Sequence, residues 1–318
     1  MKALVTGAAG FIGSHVAERL LESGATVLGI DNFAGCYPRA EKERNLVPLR
    51  AHAGFRFVEA TLGASDPAPL LEGVSHVFHL AGQPGVRKSW GADFRVYTES
   101  NIVATQALLE ACAGRPIERV VFASSSSVYG DDVPLPMREE ARLQPVSPYG
   151  VTKLAAEQLC HVYHISHSVP TVSLRYFTVY GPRQRPDMAF RRFFDAAMGG
   201  NPVMVFGDGR QTRDFTYVAD AVSGTIAAAT RGRPGTVYNV GGGSRVEVRD
   251  VLELVRRITG QPVRIERSAA QRGDMRDTYA ETARARADLA FRPAVTLEQG
   301  LRAQFDWMVQ AGLFERHD

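Results

Sequence analysis

The sequence predicts an α/β fold, a doubly wound parallel sheet followed by a smaller lobe, and three observations carry the prediction. Apolar runs recur through the first half as "KALVTG", "ATVLGID", "FRFVEA", "HVFHLAG", "RVVFASS" and "TVSLRYF". Their near-continuous Val, Leu and Phe suit strands covered on both faces, as in a parallel sheet. Amphipathic helical patterns start near Gly13, Thr98 and Tyr149, between some of these runs. After Tyr180 the pattern loosens into shorter pieces: "PVMVFGDG", "TVYNVGG", the helix "EVRDVLELVRRITG" and the helix "TLEQGLRAQFDWMVQ". The expected division is a first domain over 1–176, with part of 213–240 returning to it, and a second lobe over 177–318. The stretch from Ala34 to Leu49, rich in Arg, Lys and Glu, reads as the least structured.

Composition narrows the function classes. The chain has 318 residues, 45% of them hydrophobic, enough to bury a sizeable core, and a formal charge of only +3. Its basic residues are scattered singly among acids, so no nucleic-acid partner is expected. Cys36, Cys112 and Cys160 are widely spaced, which suggests neither a disulfide framework nor a zinc site. His161, His164 and His167 lack the acid or cysteine that would complete a ligand set, so no metal is expected. The N-terminal apolar run is interrupted by glycines and no stretch reaches the ~18 apolar residues of a membrane span. A soluble, cytoplasmic protein is the expectation.

The first chemical signal is "VTGAAGFIGSH", where a strand ends, Gly7, Gly10 and Gly13 follow at three-residue spacing, and a helix begins. Glycines there allow a tight turn and close approach to a pyrophosphate, whose charge faces the free N–H groups of the helix. Asp31 ends the second strand ~20 residues on, where a carboxylate accepts hydrogen bonds from ribose hydroxyls and repels a 2′-phosphate. Order and spacing together indicate a Rossmann-like domain that binds NAD in preference to NADP.

The second signal is "SPYGVTKLAAE", which puts Tyr149 and Lys153 four residues apart on one face of a helix start. An ammonium beside a phenol favours phenolate and lowers its pKa from ~10, as a general base for a hydroxyl proton requires. The pair follows "FASSSSVYG", a strand running into four hydroxyls.

These motifs, with "HLAGQPGVR", "ESNIVATQALLEAC", "FGDGRQTRDFTYVAD" and the closing "LEQGL", resemble the extended short-chain dehydrogenase/reductase family of sugar-nucleotide epimerases and dehydratases over nearly the whole chain. The resemblance implies bound NAD, a nucleotide-diphosphate sugar in the second lobe, and a homodimer built from paired long helices beginning near Thr98 and Tyr149. It implies Tyr149 as base, Lys153 as its positioner on the nicotinamide ribose, and Ser125 as the accompanying hydroxyl. Further cofactor contacts are implied at Phe11, Ile12, Asn32, Leu80, Ala81, Gln83 and Tyr176, with Asn101 as a structural asparagine. Arg213 and Arg272 resemble the arginines that grip the diphosphate, a task suited to a planar fork. Phe206 either packs on uracil or belongs to the core. Arg87 either reaches the substrate or forms a surface salt bridge.

Within that family, dehydratases place an Asp-Glu pair directly before "VYG" and decarboxylases a glutamate at its second position; here Ser126 and Ser127 stand there. Epimerisation is what the resemblance leaves. The stretch "RYFTVYGPRQRPDM" carries Thr178 where UDP-glucose 4-epimerases mostly have asparagine, and looks like that of UDP-glucuronate 4-epimerases. Physically, oxidising C4 of a sugar acid makes a β-keto carboxylate, and bonds from Arg185, Thr178, Ser126 and Ser127 would hold its charge on the carboxylate and resist loss of carbon dioxide. Arg183 is read as a solvated or phosphate-side loop residue. UDP-glucuronate is thus the favoured partner, with UDP-glucose or its N-acetyl relative as the alternative and a non-catalytic dinucleotide sensor as a third reading.

Overall fold

The computed structural model describes residues 1–64, 66–269 and 271–314. Its strands are β1 (Lys2–Thr6), β2 (Thr26–Asp31), β3 (Phe55–Glu59), β4 (His76–His79), β5 (Arg119–Ser125), β6 (Thr171–Tyr176), β7 (Val179–Tyr180), β8 (Val203–Phe206), β9 (Thr212–Asp214), β10 (Thr216–Tyr217), β11 (Thr236–Val240), β12 (Arg245–Glu247) and β13 (Ile265–Ser268). Seven of them form one parallel sheet in the order β11-β6-β5-β4-β1-β2-β3. The strand order reverses between β1 and β4, so a crevice opens beyond their carboxyl ends, the usual ligand position in such sheets. Every residue of β4 and β6 is buried, which explains why they read as continuous apolar runs and not as alternating ones.

The helices are α1 (Phe11–Glu22), α2 (Arg39–Arg50), α3 (Phe94–Tyr97), α4 (Ala104–Cys112), α5 (Pro148–His167), α6 (Ala189–Met198), α7 (Val218–Arg231), α8 (Val248–Thr259), α9 (Ala283–Leu289) and α10 (Leu297–Gln310). Helix α5 starts cleanly because Ser147 accepts the Gly150 amide at its N-cap and Pro148 takes the first helical position. The seventh strand, β11, comes from beyond the second lobe's first elements and pairs with β6 from Thr236↔Val172 to Val240↔Tyr176. Helix α7 returns with it: Val218, Ala221, Val222 and Ala228 share one apolar cluster with Val16, Ala17 and Leu20 of α1. The second lobe has its own core of Tyr180, Phe190, Phe194, Phe215, Leu252, Val255, Leu301 and Met308.

Of the stretch expected to be least structured, 34–38 is turn and loop, but from Arg39 onward it is helix α2. Its inward face is Lys42, Asn45, Leu46 and Leu49, at helical spacing but half polar, so hydrophobic periodicity does not reveal it. The polar members are satisfied individually: Asn45 donates to the Ala9 carbonyl at 3.0 Å and Lys42 to Asp31. No helix among the described residues is long and apolar enough to cross a membrane.

Candidate active site

Where β1 turns into α1, Gly7 adopts φ +71°, and a Cβ there would stand 2.9 Å from the Ala81 backbone nitrogen. A Cβ on Gly13 would run into the Gly7 carbonyl. Helix α1 begins with no side-chain cap and no acidic residue in its first turn, leaving its N–H groups to an anion. These features open on a cleft of about 990 Å³ at the carboxyl ends of the sheet. Every cofactor-side residue expected from the sequence lines it: Gly7, Gly10, Phe11, Ile12, Gly13, Asp31, Asn32, Leu80, Ala81, Gln83, Asn101, Tyr149, Lys153 and Tyr176. An extended dinucleotide fits that inventory, with the bare helix terminus for the pyrophosphate and the Asp31 carboxylate for a ribose.

A hydrogen-bonded chain fixes the floor of the cleft. Thr105 donates to the Asn101 carbonyl at 2.6 Å, so its oxygen receives the Nε2 proton of His79 at 2.9 Å. His79 Nδ1 is then free to accept from Thr6 Oγ1 at 2.8 Å, and Thr6 in turn accepts the Leu80 and Ala81 amides. Asn101 accepts the Gln83 amide at 2.7 Å and donates to Thr152, which ties the loop after β4 to helix α5. It does so from a π-helical turn, Thr98–Val103, a widening that recurs at functional sites.

Burial holds two imidazoles near this cleft neutral, His79 at about 3 and His15, next to Arg183, at about 4. As pH falls from 6.5, the unfolded chain takes up two protons that the native state refuses, so stability falls by ~1.4 kcal/mol per pH unit for each histidine. Buried Asp214, pushed up to about 6, acts with the opposite sign over part of that window. In urea titrations between pH 6.5 and 4, His79→Gln should therefore flatten the pH slope by one proton; an unchanged slope would mean that His79 is protonated in the native protein.

The chemical end of the cleft gathers Ser125, Ser126, Ser127, Tyr149, Lys153, Thr178 and Arg185. Ser125 accepts the Ser127 amide at 3.1 Å and hydrogen-bonds to Tyr149. Burial raises the Tyr149 pKa, and Ser125 and then Arg185 pull it back. This differs from the expectation that Lys153 lowers it. The Lys153 nitrogen stands 4.5 Å from the centre of the Phe122 ring, and burial brings its own pKa down to about 8. Desolvation is the largest influence on both groups.

The stretch 175–188 divides its three arginines among three tasks. Arg175 pairs with Glu157 in a buried bridge, and Ser124 completes it by donating to Glu157 at 2.6 Å. Glu157 lies four residues beyond Lys153 on α5, so the bridge fixes the strand and helix that carry the hydroxyls and the lysine. Arg183 is not a solvated loop residue. Its side chain is 13% exposed and binds Glu18 of α1 at 3.0 Å, and its neighbour Pro182 accepts from His15 at 2.9 Å. Arg185 lines the cleft, where the Asp187 carboxylate meets its fork with two bonds of 2.9 Å.

The remaining expected substrate residues stand apart from this cleft lining. Arg87 forms a salt bridge to Asp274 at 2.6 Å while its guanidinium stacks 4.0 Å from the Phe206 ring centre. Phe206 is thus only partly buried and not a core residue. Arg213 donates to the backbone carbonyls of Thr212, Met275 and Arg276, so much of its fork is already engaged. Arg272 is exposed on the same 271–276 loop. Tyr37 and Lys42 also line the cleft and were not indicated by the sequence; the Tyr37 hydroxyl is buried without a partner. The described residues contain no group of histidine, cysteine and acid that could hold a metal.

The model of the "NAD dependent epimerase/dehydratase family" matches residues 3–241. An uncharacterized UDP-glucose epimerase of Bacillus subtilis is 46% identical over 97% of this chain and 98% of its own length. A UDP-glucuronate 4-epimerase of Thermodesulfobacterium geofontis is 36% identical over 96% of this chain and 95% of its own. The crystal structure of the UDP-glucuronic acid 4-epimerase of Bacillus cereus, in complex with UDP-glucuronic acid and NAD, superposes with a TM-score of 0.95 at 43% identity, covering 98% of this chain and all of that one.

Proposed function

The chain belongs to the NAD-dependent epimerase/dehydratase family, and we propose that within it the protein inverts C4 of UDP-glucuronate to give UDP-galacturonate through a transient 4-keto sugar. NAD, when bound, supplies the hydride acceptor at C4 and returns the hydride to the other face. Tyr149 takes the O4 proton and gives it back, Ser125 steadies the phenolate by donation, and Lys153 positions the pair against the ribose. Ser126, Ser127, Thr178 and Arg185 hold the sugar carboxylate. Arg87, Phe206, Arg213 and Arg272 receive the diphosphate and base, with Arg87 exchanging Asp274 for the incoming anion.

One observation carries the choice of a sugar acid: the Arg185 fork already holds a carboxylate, that of Asp187, inside the catalytic cleft. Asp187 is 39% exposed and can move into solvent when a substrate carboxylate takes its place. Asp187→Asn removes this internal competitor, so UDP-glucuronate should bind several-fold tighter by calorimetry while UDP-glucose is unaffected. Weaker binding of UDP-glucuronate would instead make Asp187 a support that Arg185 needs. The name of the Bacillus subtilis relative favours a neutral sugar as second reading. Incubation with a panel of UDP-sugars, without added cofactor, decides between them by the products formed; turnover of none would leave the sensor.

We also infer a cytoplasmic homodimer. Val151, Val162 and Ile165 lie along one face of α5 and are exposed, an apolar stripe suited to a second copy. The three cysteines are unpaired, in keeping with a reducing compartment.

A further inference from the structure

We propose that Lys42 is a second determinant of cofactor choice, a buried cation that Asp31 keeps occupied and that would otherwise take a 2′-phosphate. Asp31 Oδ1 accepts the Phe33 amide at 2.8 Å and the Lys42 ammonium at 3.1 Å. Both side chains of the pair are only 6% exposed, and both residues line the dinucleotide cleft beside Asn32 and Tyr37. Lys42 lies 5.3 Å from the centre of the Tyr37 ring, whose hydroxyl has no partner. Arg39, a neighbouring cation, is engaged elsewhere: it is bound to Glu59 and Glu43 and stacks 4.0 Å from the Phe33 ring centre.

An aspartate at this position is usually taken to exclude NADP by its own charge. Here that charge is offset by a lysine at contact distance, so the pocket end is nearly neutral and its preference depends on the lysine being satisfied. Neutralising Asp31 leaves a buried ammonium without a counterion, a costly arrangement. A phosphate monoester, carrying roughly −1.5 to −2 charges near neutral pH, is the anion that relieves it. Asp31→Asn keeps the shape and the acceptor for Phe33, and it should therefore turn the pocket toward NADP and not merely relax it.

The inference rests on reading the cleft as the dinucleotide site. Purified protein is exchanged against an equimolar mixture of NAD and NADP, and the bound dinucleotide is read by native mass spectrometry. Wild type should retain NAD. Asp31→Asn should move the bound ratio toward NADP by roughly 10–100-fold, the range of one charge-assisted bond, and Asp31→Asn with Lys42→Met should give that gain back. Lys42→Met alone, which leaves the carboxylate unopposed, should lower the NADP share below wild type and serves if the asparagine variant does not fold. Wild type that takes up neither dinucleotide would sink the reading of the cleft. Wild type holding NAD, with an unmoved ratio in Asp31→Asn or Lys42→Met, or a gain that survives loss of Lys42, would overturn the role of Lys42 alone.

Discussion

Tyr149→Phe is expected to cut turnover by roughly 10²–10⁴-fold, the usual contribution of a general acid–base group, while dinucleotide binding stays intact. The ring remains, so its edge contact with Tyr97, at 6.2 Å between centroids, and the start of α5 are kept. Only the oxygen that Ser125 and Arg185 draw toward ionisation is lost. Retained NAD, read by mass, separates a missing base from a collapsed pocket. Near-full turnover in this variant would hand the proton to another group, and Ser125 is the nearest candidate.

Arg185→Ala should weaken UDP-glucuronate by about 1.5–3 kcal/mol, the range for a hydrogen bond to a charged group, and UDP-glucose far less. A second effect follows from the chemistry of the 4-keto acid. Without the guanidinium, carboxylate charge flows more readily into the ring carbonyl, carbon dioxide leaves, and a 4-keto-pentose remains. Where that 4-keto sugar leaves the site before the hydride returns to its C4, NADH accumulates with its characteristic absorbance. Arg183→Ala should weaken the loop without changing the ratio between charged and neutral sugars, because its partner is Glu18 and not a ligand. Equal damage to both sugars by Arg185→Ala would make Arg185 a scaffold residue.

The sheet was legible because its first six strands read as apolar runs, and all but the edge strand β3 are largely buried, with no polar face to confuse the pattern. The Gly7, Gly10 and Gly13 turn and the Tyr149 and Lys153 pair were legible because their chemistry demands fixed spacings along the chain. What failed was whatever depends on partners distant in sequence. Helix α2 hid because its inward face includes Lys42 and Asn45, whose burial makes sense only once Asp31 and the Ala9 carbonyl are beside them. Arg183 was misread because its acid sits 165 residues away on α1. The direction of the Tyr149 pKa was misjudged because spacing on a helix reports a neighbour but not the loss of water. Arg175 in an apolar strand and Glu157 one turn past Lys153 were the two visible hints of the buried bridge.

The attachment of loop 181–185 to helix α1 has a consequence for precision. The helix whose uncapped first turn suits a pyrophosphate also carries, within its first two turns, Ser14, His15 and Glu18, to which Arg183 and Pro182 are fastened. The Arg185 guanidinium, two residues further on, is therefore referenced to the helix that carries the glycine-rich turn. Any tilt of that rod carries both fittings together, so on the proposed reading the spacing between the dinucleotide and the sugar's carboxyl end is set by one helix and one short loop.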